Sequence, residues 1–241
     1  MKRRMNTLSC QVTRITPFND SVYQVVLTPS QPFEFKAGQY LSIIMGEKDK
    51  RPFSIASAPH QTEIELHIGA AVAESYPMQV IERLQSCLAN QETIGIEAPA
   101  GNAFLRSEHT RPRLLIAGGT GFSYIKSMIE QQIEERNDTP VTFYWGCRTT
   151  EAMYYHSIAQ DWQQTYPWLT FIPVVEEADE HWQGKQANLL EQIKTDYTDV
   201  SDFDIYIAGR FDMAAAARDM LRSLNVNEKH LYGDAYMFLK G

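Results

Sequence analysis

Three stretches of the sequence carry residue types suited to chemistry. In KDKRPFSIASAPH, residues 48 to 60, a charged run gives way to Arg51, Pro52, Phe53 and Ser54, so a fixed cation and hydroxyls enter a segment with the composition of a half-buried strand. An arginine placed there offsets its desolvation only where an anion or a carboxylate meets it. In IAGGTGFSY, Gly118, Gly119, Thr120 and Gly121 stand between an apolar strand and a helix. Glycines let backbone amides approach a pyrophosphate, and the helix dipole behind them favours its charge. A second glycine turn, IAGRFDM with Gly209 and Arg210, ends a later strand and points at the same sheet edge. GGTG is neither the longer dinucleotide fingerprint nor a P-loop, but two such turns on one edge suit a dinucleotide lying across it.

The elements that must position these residues follow from composition and rhythm. With 241 residues, 44% hydrophobic and 11% aromatic, the chain has room for one large domain or two ordinary ones. A formal net charge of -8 offers no electrostatic footprint for nucleic acid. The start MKRRMNTLSCQV is basic, yet no signal-peptide core follows, and nowhere do about eighteen apolar residues run together. A soluble, cytoplasmic protein with no membrane association is expected. Cys10, Cys87 and Cys147 are far apart and odd in number, so reduced thiols are expected, with no disulfide framework and no metal site.

Up to about residue 100 the signals are short strands: SCQVTRITPF, VYQVVLTP, QYLSIIMG, FSIASAP and EIELHIGA, with turn residues between them. That spacing suggests an antiparallel barrel or sandwich. One helical patch, AESYPMQVIERLQSCL, places Val80, Ile81, Leu84 and Leu88 on a shared face and is expected to cap one end. GIEAPAGNAF gives a last strand, and the polar stretch LRSEHTRPR reads as a linker. Beyond it RLLIAGG, PVTFYWGC, LTFIPVVEE and DFDIYIAG are buried-strand runs separated by helical segments, which predicts a parallel sheet with helices on its faces.

RPFS, then IELHIG, then GGTGFS, all following a short-stranded unit and in this order, resemble the ferredoxin reductase superfamily. The closest likeness within it is to the bacterial NAD(P)H:flavin oxidoreductases of the Fre type, a group that includes the enzyme supplying reduced flavin in luminous bacteria. It runs over nearly the whole chain, through FKAGQYL, LIAGGTGFSYIKS, FYWG, PVVEE, DIYIAGRFDMA and GDAYMF. The resemblance implies an all-β plus α/β fold: a flavin-binding antiparallel β-barrel over residues 1–107, then a Rossmann-like NAD(P)H-binding domain over 112–241. It implies that Ser54 hydrogen-bonds the flavin N5 edge, where a hydroxyl able to donate or accept suits both redox states. It implies further that Pro52 and Phe53 shape the site, that Arg51 lies near the ribityl or phosphate end, and that Tyr40 packs beside the ring. By the same likeness His67, Ile68 and Gly69 present backbone groups to the pyrimidine; His67 as a catalytic base is not expected, since hydride transfer needs none. Tyr236 and Phe238 fall where relatives place an aromatic beside the isoalloxazine.

The sequence departs from the superfamily in two places. Ala208-Gly209-Arg210 stands where many members have Cys-Gly-Pro, so no cysteine is expected near the nicotinamide at that position. No second patch for an adenine half is legible, which favours flavin as a substrate that enters, is reduced and leaves. The expected activity is hydride transfer from NADH or NADPH to free riboflavin, FMN or FAD, with a downstream monooxygenase, luciferase or ferric complex using the product. A reductase with tightly bound FAD or FMN serving a protein acceptor is the nearest alternative, and a nucleotide-sensing module without turnover is a third. Arg148, just after YWGC, stands where it could meet the 2′-phosphate of NADPH or form a solvated loop charge.

Overall fold

The structure, a computed structural model, describes residues 6–237. The chain divides into two units, Met1–Leu105 with Lys126–Glu135, and Arg106–Ile125 with Arg136–Gly241.

The first unit holds β1 (Asn6–Pro17), β2 (Val22–Pro29), β3 (Tyr40–Gly46), β4 (Asp49–Ser54), β5 (Ile64–Gly69) and β6 (Thr93–Ala100). They pair antiparallel in the order β4-β3-β6-β1-β2-β5. The outer strands are joined beyond the end of β4, where the Ala56 N–H donates to the Glu65 carbonyl at 2.7 Å, so the sheet closes into a barrel. Inward residues alternate along each strand, as in Leu8, Cys10 and Val12 of β1 and Ile64, Leu66 and Ile68 of β5. α1 (Tyr76–Asn90) starts where the Ser75 side chain accepts from the Met78 N–H, with Pro77 in its first turn, and ends at Gln91 in the left-handed region. Val80, Ile81, Leu84 and Cys87 of α1 join the barrel core. Leu88, expected on that face, is instead 37% exposed, because a stripe of 3.6 periodicity turns Cys87 inward at this point.

One strand is displaced from its expected position. FSIASAP is not a strand: β4 runs over Asp49–Ser54, pairing Ile44 with Lys50 and Tyr40 with Ser54. The polar residues thus begin the ladder, while Ile55, Ala56 and Ala58 are buried after leaving it.

The second unit is a parallel sheet of β7 (Arg113–Gly118), β8 (Val141–Thr149), β9 (Leu169–Glu177), β10 (Lys185–Gln186), β11 (Asp204–Ala208) and β12 (Leu231–Tyr232). The order is β10-β9-β8-β7-β11-β12. Helices α2 (Phe122–Glu134), α3 (His156–Thr165), α4 (Leu189–Asp196) and α5 (Phe211–Ser223) connect the strands; α2 belongs to the second unit only up to Ile125. The chain lays β8 and β9 on one side of β7 and β11 and β12 on the other, so the switch point falls at β7, between its neighbours β8 and β11. β10 and β12, two residues each, carry no periodicity for a sequence to show. The expected linker is tied down in its second half: His109 Nδ1 lies 2.7 Å from Asp204 Oδ2, while His230 Nδ1 lies 2.6 Å from Oδ1. Among the described residues no helix is long and apolar enough to cross a membrane. All three cysteines are free and buried.

Candidate active site

Strand parity sorts the residues of the first unit. In the β3–β4 register Tyr40 faces Ser54, Leu41 faces Phe53, Ser42 faces Pro52 and Ile43 faces Arg51. Successive side chains alternate between faces, so Tyr40, Ser42, Pro52 and Ser54 share one face, and Leu41, Ile43, Arg51 and Phe53 share the other. Leu41 and Ile43 are fully buried, which makes the second set the core face, and Phe53 packs against that core. Among the described residues nothing hydrogen-bonds the Ser54 hydroxyl, so it is left to meet something else.

Arg51 is buried and heavily engaged. Its Nε and Nη2 donate to Asp49 Oδ1 and Oδ2 at 2.9 and 2.6 Å, Nη1 donates to the Tyr76 carbonyl at 2.8 Å, and Nη2 also donates to Gln79 Oε1 at 2.9 Å. These four bonds use four of the five N–H donors of a guanidinium. The group also lies over the Tyr76 ring, 4.5 Å from its centroid. The Arg51 hydrogen bond holds the Asp49 carboxyl below its ordinary range. Asp49 and Gln79 are therefore part of the arrangement, and sequence reasoning passed over both. Asp49 could have been found, since a carboxylate two residues before an arginine shares its strand face.

On β5 the backbone direction is set by two bonds. The Ala70 N–H donates to the Ser21 carbonyl on the β2 side, and the Glu65 carbonyl accepts from Ala56 on the other side. Ile68 is in phase with Ala70, so its peptide groups face β2, opposite Tyr23, and its side chain is in the core. His67 and Gly69 are in phase with Glu65 and turn their backbone groups toward the side of the closing bond. The His67 side chain is buried, with Nε2 2.7 Å from Glu65 Oε1 and its ring edge-on to Phe18. Burial holds the His67 imidazole below its ordinary value, against the opposing pull of Glu65. Burial alone would raise the Glu65 carboxyl; the hydrogen bond from His67, the charge of Lys126 and a bond from Gln24 outweigh it and hold it at about 2.

In the second unit β7 ends at Gly118, and Gly119–Gly121 form a single tight turn into α2. Gly119 has φ +53°, and a Cβ there would find nothing within 4 Å, so its side faces open space. A Cβ on Gly121 would collide with the Ala208 carbonyl, its carbon only 2.6 Å away, so the turn can press against the end of β11 only without one. A Cβ on Gly209 would come 3.5 Å from the Gly118 Cα, which brings the two glycine turns side by side at the switch point. Trp145 of β8 fixes the turn from the other direction: its Nε1 donates to the Gly119 carbonyl at 2.9 Å and its ring stacks on Phe122 at 4.2 Å. Composition alone does not reveal that role, because an apolar strand reads a tryptophan as core. Arg210 is exposed and pairs with Asp212 at 2.7 Å. Arg148 is likewise exposed and pairs with Glu177 at 2.9 Å. Burial pushes the Cys147 thiol up to about 12, which disfavours the thiolate. Tyr236 packs against the core of this unit, and Phe238 lies outside the described residues.

A closed antiparallel barrel followed in sequence by a parallel sheet with a glycine-lined switch point defines the two-unit architecture of the ferredoxin reductase class. Residues 115–219 match the Oxidoreductase NAD-binding domain family. Among solved structures, the ferredoxin reductase in carbazole 1,9a-dioxygenase superposes with a TM-score of 0.82 at 23% identity, covering 98% of this chain and 71% of that one. The flavohem-like FAD/NAD binding domain of nitric oxide dioxygenase from Vibrio cholerae O1 biovar El Tor gives 0.69 at 18%, covering 95% and 98%. Those likenesses establish the fold. Relatives much nearer in sequence are the NAD(P)H-flavin reductase of Vibrio harveyi, 44% identical over 97% of this chain and 100% of its own length, and that of Aliivibrio fischeri, 45% identical over 96% and 99%. The chain belongs to the NAD(P)H-flavin reductase family.

Two stability predictions arise from this geometry. Gly121→Ala is expected to lower the thermal midpoint more than Gly119→Ala, since the first collides with backbone while the second has room and meets only the left-handed strain of roughly 1 to 2 kcal/mol. Glu65 and His67 both bind fewer protons folded than unfolded. Their stabilisation is complete above the ordinary values of 4.5 and 6.5 and is lost as pH falls below them, for Glu65 down to about 2. Urea midpoints should therefore drop through that range, and Glu65→Gln should start less stable at pH 7 yet lose less between pH 4.5 and 2.

Proposed function

We propose that the chain transfers a hydride from C4 of NADH or NADPH to N5 of free riboflavin, FMN or FAD and releases reduced flavin. The observation that carries this reading is identity of 44% and 45% over nearly the full length of two NAD(P)H-flavin reductases. Ser54, outward and without a side-chain partner among the described residues, meets the N5 edge. Tyr40, opposite it in register, and Pro52 flank the ring, and the backbone groups of His67 and Gly69 meet its pyrimidine side. Gly118, Gly119, Thr120, Gly121 and Gly209 take the coenzyme pyrophosphate, the open side of Gly119 giving the backbone its approach, with Arg210 at the rim. The two substrates supply the redox chemistry, and hydride transfer requires C4 and N5 to come within about 3 to 3.5 Å.

Arg51, Phe53 and Ile68 receive different roles from those the family likeness implied, while the His67 side chain keeps the non-catalytic one expected of it. Arg51 braces β4 against α1, because an anion would have to displace Asp49 to reach it. Phe53 and Ile68 support the site from the core. His67 is structural, its imidazole committed to Glu65. The two cations of β4 are both paired, Arg51 with Asp49 and the outward Lys50 with Glu97 at 2.6 Å, so the site reads the ring rather than the tail, which suits flavins with and without phosphate. A 2′-phosphate seeking Arg148 would compete with Glu177. The reaction belongs in the cytoplasm, where both coenzymes are found, and its product would serve a monooxygenase, a luciferase or a ferric complex.

The test is NADH oxidation by purified protein with and without added flavin. Consumption only on flavin addition, by a preparation that is colourless beforehand, is expected; a yellow preparation with one flavin per chain would favour electron delivery to a protein acceptor instead. Ser54→Ala should lower turnover at saturating substrates by about tenfold to a thousandfold, the scale for one lost donor at a reacting centre, with little change in thermal midpoint. Arg51→Ala should weaken use of riboflavin, FMN and FAD alike and lower stability. A defect confined to the two phosphorylated flavins would instead make Arg51 a phosphate contact.

A further inference from the structure

The hydroxyl of Ser54 has no side-chain partner among the described residues, so its direction is inherited from the backbone that follows it. That backbone is held from three sides. The Ile55 N–H donates to the Gln39 carbonyl at 3.0 Å, and the Ala56 N–H donates to the Glu65 carbonyl at 2.7 Å. Ser57 Oγ accepts from the Glu65 N–H at 3.0 Å. The third side is the part of α2 that begins at Lys126 and lies in the same unit: Lys126 Nζ donates to the Ala56 carbonyl at 3.4 Å, and Ser127 Oγ donates to the Ser57 carbonyl at 2.8 Å.

Lys126 is an unusual residue to find in this place. It is 2% exposed, and its ammonium lies 3.0 Å from Glu65 Oε2 and 2.8 Å from Glu130 Oε1. Burying a cation between two carboxylates contributes little net stability compared with an apolar replacement of the same shape, because all three groups lose water. A fixed charge fixes direction, however: the same ammonium is bonded to the β5 side chain and to the carbonyl two residues beyond Ser54. Glu65 in turn carries the His67 imidazole at 2.7 Å, so one carboxylate ties the segment after β4 to the β5 residue whose backbone faces it.

We propose that Lys126, with Ser127, is a positioning residue for the Ser54 hydroxyl, acting through the Ala56 and Ser57 carbonyls. This rests on the reading of the chain as a flavin reductase with Ser54 at N5. Lys126 touches no substrate; it sets where the Ser54 side chain stands when flavin arrives.

A double-mutant cycle on flavin-dependent NADH oxidation separates positioning from mere support. In the natural background Lys126→Met is expected to lower kcat about tenfold with a smaller change in the KM for NADH, Ser127→Ala to lower it less, and Lys126→Arg to retain most of it. In the Ser54→Ala background Lys126→Met should have almost no further effect on kcat, because the group it positions is gone. Equal losses in both backgrounds would overturn the proposal, as would a Lys126→Met enzyme with natural kcat. Should Lys126→Met fail to fold, the same cycle is run with Ser127→Ala, and additivity there is equally decisive. Failure of the underlying reading would look different: the natural protein itself would show no flavin-dependent oxidation of NADH.

Discussion

Arg51 is the charge that the barrel cannot bury alone. Its place on the core face is fixed by parity with Leu41 and Ile43, and nothing apolar there can meet a guanidinium. Asp49 supplies the counter-charge from the same face of the same strand, and α1 supplies a carbonyl and an amide oxygen from Tyr76 and Gln79. The consequence reaches beyond the ion pair. Since β4 alternates, locking Arg51 inward also locks Pro52 and Ser54 outward, and a slip of one residue would bury the hydroxyl and expose the cation. The polar contact thus sets the register on which the outward face depends.

The glycine edge follows a complementary rule. Where the barrel adds polar partners to hold a side chain, the switch point removes side chains to let backbones approach. Gly121 brings the turn against Ala208, Gly209 brings the next strand end against Gly118, and Gly119 keeps one side open. Trp145 then restores the rigidity that glycines lose, by a hydrogen bond to the Gly119 carbonyl and a stack on Phe122. A turn made of small residues becomes a fixed one because a large neighbour closes over it.

The sequence makes the two architectures legible because each has its own rhythm: alternation in β1 and β5, uninterrupted apolar runs in β7 and β11. It places the glycine turns correctly because their chemistry is local. β4 begins earlier than its composition suggests, since Asp49 and Lys50 look like turn residues until Ile44 is seen opposite Lys50. Arg51 reads as a cation awaiting an anion, since Gln79 and the Tyr76 carbonyl, 28 and 25 residues away, are beyond any local window. Lys126 reads as one polar residue in an amphipathic helix for the same reason: its partner Glu65 is 61 residues distant.

What escapes the sequence has a common physical form. Features that rest on residue type alone, a hydroxyl or a missing Cβ, announce themselves; side chains that hold other groups in place do so through long-range polar contacts whose net stabilisation is small. Their value lies in direction. A half-buried hydroxyl with no side-chain partner among the described residues keeps water within reach, but a hydroxyl is useful at a reacting atom only if the backbone behind it does not drift, since about 1 Å of misplacement is enough to lose much of the rate. The hydrogen bonds to Ile55, Ala56 and Ser57 are directed at that backbone and not at the hydroxyl, and so they leave its donor and acceptor capacity whole.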